Sequence, residues 1–238
     1  MSIKKILQDN QHRLWSIPNK KWNFYQEWNN ALFVHWKVEL KELSKFVPSN
    51  LQIDLFDGDP WVSLVAFTME KIRPRSFPSF RPFSNFHEIN IRTYVKSNDK
   101  TGVYFLSIEA GKNIACKIAR KISKLPYRYS TINRTLNTYK SFNSDFKDSL
   151  EIQYELKHSK INTNALDKFL TERYALFHDV ENYIYEFEIH HLPWPIENIE
   201  LLKFNFNYPR FRKLIVKNPD KTHFSRGVKV ISWSSSIY

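Results

Sequence analysis

The chain has 238 residues, of which 42% are hydrophobic and 16% aromatic, with four glycines and a formal net charge of +12. That content supports a packed core and excludes a low-complexity chain, and a single cysteine, Cys116, excludes an internal disulfide or a cysteine-rich zinc site. No run of about eighteen apolar residues is present to span a membrane, and the N-terminus lacks the apolar stretch of a secretory signal, so a cytoplasmic protein is expected.

In chain order, Ile3, Ile6, Leu7 and Asn10 predict a short amphipathic helix within residues 1–14. Trp15, Trp22 and Trp28 then suggest an N-terminal segment packed onto the body of the protein. Asn30–Val38 reads as a strand, and Leu40, Leu43 and Val47 place a helix over 39–47 that Pro48 ends. Leu51, Ile53 and Leu55 alternate up to the turn signal Asp57-Gly58-Asp59-Pro60, and Trp61–Met69 follows, so a β-hairpin is expected over 51–69. The prolines at 74, 78 and 82 exclude a helix or central strand there, leaving either a rigid crossover or a binding loop carrying Arg73, Arg75 and Arg81.

Phe86–Val95 alternates strictly, which is the period of a β-strand. Ile89, Ile91, Thr93 and Val95 make one face. Glu88, Asn90 and Arg92, closed by Phe86 and Tyr94, make the other. In an open sheet that second face is solvated; in a closed one it lines a polar pocket. A turn at 97–102 leads to an antiparallel strand, Val103–Glu109. Ile114, Ile118, Ile122 and Leu125 then form a helical stripe beside Lys117, Arg120, Lys121 and Lys124. Residues 144–149 read as a loop and Leu150–Lys157 as a strand. A helix over 164–174 is capped by Asn164 with Asp167, Asn182–His191 is a strand ended by Pro193-Trp194-Pro195, and Gly227–Trp233 is the last strand. No repeat or linker divides the chain, so one α+β domain over 1–238 is expected, with mostly antiparallel strands and about three helices.

Several segments together resemble the YqjF-like family of conserved proteins of unknown function: WNNALFVHW at 28–36, LFDGDPW at 55–61, KIRPR at 71–75, EINIRTYV at 88–95, GVYFLSIEA at 102–110, LPY at 125–127, FLTERY at 169–174, HLPWP at 191–195 and RGVKVISW at 226–233. The resemblance runs over about residues 22–234, leaving 1–21 as an N-terminal extension. That family is similar in turn to the acetoacetate decarboxylase superfamily, which implies a strongly curved, barrel-like antiparallel sheet around a cavity. It also implies that Glu88 is the cavity acid, that Tyr127 stands where those enzymes carry a Schiff-base lysine, and that Arg128 stands in the place of the neighbouring lysine. A phenol forms no iminium, so lysine chemistry is not expected unless Lys124 turns inward.

The candidate residues are therefore Glu88 and Glu109 as acid–base groups, with Asn90, Arg92, His35, Tyr127 and Arg128 contacting a ligand. Each also has a structural reading: a solvated strand face for Glu88–Arg92, a strand-end residue for Glu109, and a hydrogen-bonded core histidine for His35. His190 and His191 are adjacent on a strand, so they point oppositely and do not chelate one metal together. No metal, nucleotide or serine-hydrolase motif is present, and no cofactor is expected. The basic residues are mostly lysine and spread through an Asn- and Ile-rich chain. They leave an alternative in which Lys117, Arg120, Lys121 and Lys124, with the loop arginines, contact RNA or an anionic surface. The expected function is to hold a small anionic or oxygenated organic molecule in a polar cavity.

Overall fold

The computed structural model describes residues 2–160, 162–181 and 183–237, with backbone alone at 158–160. Met1 and Asn182, each at the start of an expected element, lie outside the described residues. The strands are β1 (Phe24–Lys37), β2 (Gln52–Ile53), β3 (Trp61–Pro74), β4 (Phe86–Ser97), β5 (Lys100–Ala110), β6 (Tyr127–Tyr129), β7 (Thr131–Arg134), β8 (Thr138–Asn143), β9 (Asp148–Lys160), β10 (Ala175–Val180), β11 (Tyr183–His190), β12 (Ile196–Asn207), β13 (Lys221–Ser232) and β14 (Ser236–Ile237). The helices are α1 (Ile3–Gln8), α2 (Leu40–Leu43), α3 (Arg81–Ser84), α4 (Asn113–Ser123) and α5 (Ala165–Thr171), with a 3-10 turn at Pro209–Phe211.

Every residue of β4 from Glu88 to Val95 is buried, so both faces of this strand are covered. The sheet order explains how. Strands β11–β10–β5–β4–β3–β1–β13 lie side by side, and β13 returns to β11 through Ile189 opposite Ser232 and His190 opposite Ile231. Seven strands thereby close into a ring that is not a regular barrel. From β13 the sheet continues outward as β12–β9–β8–β7. This extension covers the outer face of the ring: Leu32, Val34, Leu64, Ile89 and Ile91 pack with Tyr139, Ile152 and Tyr154 in the main core. Each large apolar side chain buried there contributes roughly 1.5–3 kcal/mol. The inner face, with Phe33, Val65, Phe67, Met69 and Trp194, forms a second cluster.

Two pairings depart from the expected antiparallel sheet: β10 runs parallel to β5 over Leu176–Phe177, and β6 runs parallel to β5 over Tyr127–Tyr129. The expected hairpin over 51–69 is not formed. β3 is flanked along its length by β1 and β4, so β2 pairs instead with the far end of β4, Gln52 opposite Lys96 and Ile53 opposite Val95. The expected 39–47 helix keeps one α turn, α2, and the Pro-rich segment contains α3. Strand β12 carries no continuous two-residue period, because a bulge between Leu201 and Lys203 breaks its alternation. Helix α5 has the expected capping box: the Asp167 N–H donates to Asn164 Oδ1 and the Asn164 N–H to Asp167 Oδ2, both at 2.9 Å. Residues before β1 lie along β11. Arg13 donates to the Ile189 carbonyl at 2.6 Å and to Glu188 at 2.9 Å, and Trp15 Nε1 donates to Glu188 at 2.9 Å.

Ring closure depends on close approach at Gly102. A Cβ there meets the Ala175 carbonyl oxygen at 2.5 Å and the Phe177 ring at 2.7 Å, because β10 crosses directly over it. Gly102→Ala is expected to cost about 2–3 kcal/mol by overpacking this junction. Urea denaturation measures it as a lower midpoint with an unchanged slope. An unaltered midpoint contradicts the assignment.

Candidate functional site

The ring encloses a cavity of about 630 Å³. Glu88, Asn90 and Arg92 of β4 line it as one row, because residues two apart on a strand share a face. Trp28, Phe67, Phe105, Phe187 and Trp194 surround the row with apolar surface, and α4 covers one side with Ala115, Ile118, Ala119 and Ile122. Among the described residues no lysine lines the cavity, and Lys124, the left-handed cap of α4, is exposed.

Glu88 is 3% exposed, and burial pushes its carboxyl up to about 7 against an ordinary 4.5. Tyr127 O–H donates to Glu88 Oε2 at 3.0 Å and opposes that rise. The parallel pairing with β5 places Tyr127 in register with inward-facing Ile108. Asn90 Oδ1 and Arg92 Nε are buried with no hydrogen-bond partner, and both side chains line the cavity. Arg92 Nη2 donates to the Leu170 carbonyl at 3.2 Å, and among the described residues no carboxylate pairs with this guanidinium. Arg173 also lines the cavity but is neutralised by Asp54 at 2.7 Å. His191 lines it too. Burial lowers its pKa to about 4, so the ring is neutral, and with Nδ1–H donating to the Leu192 carbonyl its Nε2 is an acceptor. His190 points the other way, to the Ile6 carbonyl at 2.7 Å.

Three expected site residues are placed elsewhere. Glu109 and Arg128 lie on the outer face of the ring, paired at 2.9 Å, with Arg128 also 3.0 Å from Asp148 and the Ser130 hydroxyl donating to Glu109. The reason is a bulge: Ile91 faces Ser107 but Arg92 faces Phe105, so Leu106 is an extra residue that turns Ser107 and Glu109 outward. Arg128 follows because β6 sets it in register with Glu109. Glu109 therefore does not share the cavity with Glu88, and Arg128 does not flank Tyr127 there.

His35 is fully buried within a hydrogen-bonded chain rather than on the cavity wall. Ser63 on β3 stands opposite both Arg92 on β4 and His35 on β1. From the cavity side, Tyr94 Oη lies 2.5 Å from Ser63 Oγ, Ser63 Oγ 2.6 Å from His35 Nδ1, His35 Nε2 3.1 Å from His223 Nδ1, and His223 Nε2 2.9 Å from Asp167. Burial lowers the pKa of both imidazoles, His35 the more strongly. With both neutral, His223 Nε2–H donates to Asp167 and His35 Nε2–H to His223, leaving His35 Nδ1 to accept from the Ser63 hydroxyl. Ser63, His223 and Asp167 gave no sign of this in the sequence, because cross-strand register alone brings them together.

A profile of a family described as "Uncharacterized conserved protein", DUF2071, matches residues 25–229. The uncharacterized protein YqjF of Bacillus subtilis (strain 168) is 34% identical over 192 residues, covering 78% of this chain and 79% of that protein. Among solved structures, the enduracididine biosynthesis enzyme MppR, complexed with the condensation product of pyruvate and imidazole 4-carboxaldehyde, superposes with a TM-score of 0.64 at 8% identity, covering 95% of this chain and 92% of that one. Acetoacetate decarboxylase from Legionella pneumophila superposes with a TM-score of 0.63 at 12% identity, covering 98% and 95%. The acetoacetate decarboxylase-like fold is thus shared at a sequence distance that carries no function with it.

The raised pKa of Glu88 makes stability depend on pH. Between 4.5 and about 7 the folded state retains a proton that the unfolded chain has released, so stability falls as pH rises through this window and levels off above it. Up to roughly 3 kcal/mol is involved, reduced by any water in the cavity. Glu88→Gln removes the effect, so its stability relative to wild type is expected to be more favourable at pH 8 than at pH 5. A difference that does not move with pH contradicts a buried, proton-holding Glu88.

Proposed function

The chain belongs to the DUF2071 family of uncharacterised conserved proteins, and we propose that it binds a small organic anion, a carboxylate on an apolar body, inside the ring. The observation that carries this is Arg92: a buried guanidinium on the cavity wall with a free Nε and no carboxylate partner. An unpaired buried charge costs several kcal/mol, and an incoming carboxylate offsets that cost through a planar two-point contact.

The other polar groups define what else the ligand carries. Asn90 Oδ1 is an open acceptor for a hydroxyl or amine. Glu88 is about half protonated at neutral pH and both donates to and accepts from a carbonyl or hydroxyl oxygen. The surrounding Trp28, Phe67, Phe105 and Trp194 side chains favour an aryl or alkyl body over a sugar. The complex of MppR with the condensation product of pyruvate and imidazole 4-carboxaldehyde supports a small organic ligand on this fold. Chemistry on the ligand would run through Glu88, with Tyr127 holding its carboxyl. With Tyr127 at the position where the resemblance implied a lysine, and no lysine on the wall, an iminium route has no nucleophile.

Trp28 and Trp194 line the cavity, so their fluorescence reports occupancy. Phenylpyruvate and phenylacetate are expected to bind, with the corresponding amides at least about tenfold weaker and Arg92→Met losing at least about tenfold for the acids. Ligand-free Arg92→Met is expected to be as stable as wild type or more so, since an unpaired buried charge is gone. Equal affinity for acid and amide, or full retention in Arg92→Met, overturns the anion assignment. Borohydride added with phenylpyruvate is expected to leave the protein mass unchanged; a lysine adduct overturns the iminium-free reading.

A further inference from the structure

The net charge is not spread evenly over the chain. Residues 71–87 contain four basic side chains and no acidic one, and residues 110–144 contain eight and none. These two segments together account for the whole +12, and the remaining 24 basic and 24 acidic residues balance. In the fold one helix of each segment reaches the mouth of the cavity: α3 and α4 are tied by Lys112 Nζ, which donates to the carbonyls of Arg81 and Pro82 at 3.4 and 3.3 Å, and both helices line the cavity, whereas Lys71, Arg128 and Lys140 of the same segments are taken up in ion pairs.

The same place carries exposed apolar side chains. Phe77 is 65% exposed, Phe80 60% and Ile122 57%, with Phe83, Ile114 and Ile118 also exposed. The Phe80 and Phe83 rings meet in a tilted pair with centroids 5.0 Å apart, and Ile114, Ile118 and Ile122 recur every four residues along α4, on one face. Among the described residues, Lys117, Arg120, Lys121 and Lys124 of α4 enter no ion pair. An amphipathic helix with an exposed apolar face and unpaired cations on the adjacent arc is an arrangement that lies in the interface of an anionic bilayer.

We infer that the α3–α4 face docks on an anionic lipid membrane surface, placing the cavity mouth against the bilayer. Phe77, Phe80 and the α4 isoleucines enter the headgroup–acyl boundary, and Lys117, Arg120, Lys121 and Lys124 meet lipid phosphates. RNA fits the cations but gives Phe77, Ile114 and Ile122 no comparable apolar phase. The continuity of this apolar rim with the cavity lining gives a membrane-dissolved carboxylate a path into the ring without crossing water. The docking itself stands independently of what the cavity holds.

The test is co-sedimentation of the full chain with vesicles. Binding is expected to phosphatidylcholine vesicles containing about 30% phosphatidylglycerol, to be absent with phosphatidylcholine alone, and to weaken with salt. Lys117→Glu/Lys121→Glu is expected to lose at least about tenfold, and so is Phe77→Ser/Ile114→Ser, whose side chains lie outside the cavity lining. Both variants are expected to keep the wild-type circular dichroism and melting temperature. Absence of binding to anionic vesicles at low salt overturns the proposal. So does charge-only binding untouched by Phe77→Ser/Ile114→Ser, salt-sensitive binding to single-stranded RNA in preference to vesicles, or a stable dimer that buries this face in solution.

Discussion

Glu88, Asn90 and Arg92 lose their hydration because the strand that carries them is covered on both sides. One cover is an apolar layer contributed by β8, β9 and β12; the other is the far wall of the same sheet, brought round by closure. Desolvation then sets the electrical state of each group in the row. The carboxyl holds its proton up to about pH 7, the amide keeps a free oxygen, and the guanidinium keeps a charge that no carboxylate pairs among the described residues. None of these states survives on an open sheet, where water would solvate all three. Closure is thus the condition for the site, and Gly102, at a close crossing of the ring, is part of it.

The molecule separates two kinds of buried polarity. On the outer face, Arg128 sits between Glu109 and Asp148, and Ser130 and Asn143 complete the set. These groups satisfy one another and fix the junction of β5, β6 and β9. On the inner face the complement is left incomplete at Asn90 and Arg92. The first set is closed on itself, while the second is open toward the cavity.

Much of the site was legible in the sequence because it rests on local periodicity. The two-residue alternation of Phe86–Val95 is enough to put Glu88, Asn90 and Arg92 on one face, and Asn164 with Asp167 reads as a cap without help from the rest of the chain. That the polar face is enclosed, and that Tyr127 stands in the place of the Schiff-base lysine, is what the family resemblance implies; the contact of Tyr127 with Glu88 comes from ring closure and parallel pairing, which are not local. What misled was parity. One extra residue at Leu106 sends Glu109 to the other face, and a similar insertion near Leu202 hid β12 altogether. The position of His35 was unreadable for a different reason: its partners His223 and Asp167 are 188 and 132 positions away, joined only by strand register.

Asp167 belongs to two structures at once. One carboxylate oxygen closes the capping box of α5, while the other meets His223 and Lys221, at 2.9 and 2.7 Å. Through His35 and Ser63 that second oxygen is connected to Tyr94, whose hydroxyl oxygen lies 2.8 Å from the Leu170 carbonyl that also accepts from the cavity-facing Arg92. Leu170 itself is on α5, so the helix is held at its start and its end by the two termini of a single polar circuit. A shift of α5 along its axis therefore strains the chain that orients Arg92. In such an arrangement, the position of a helix and the aim of a charge are one mechanical variable rather than two.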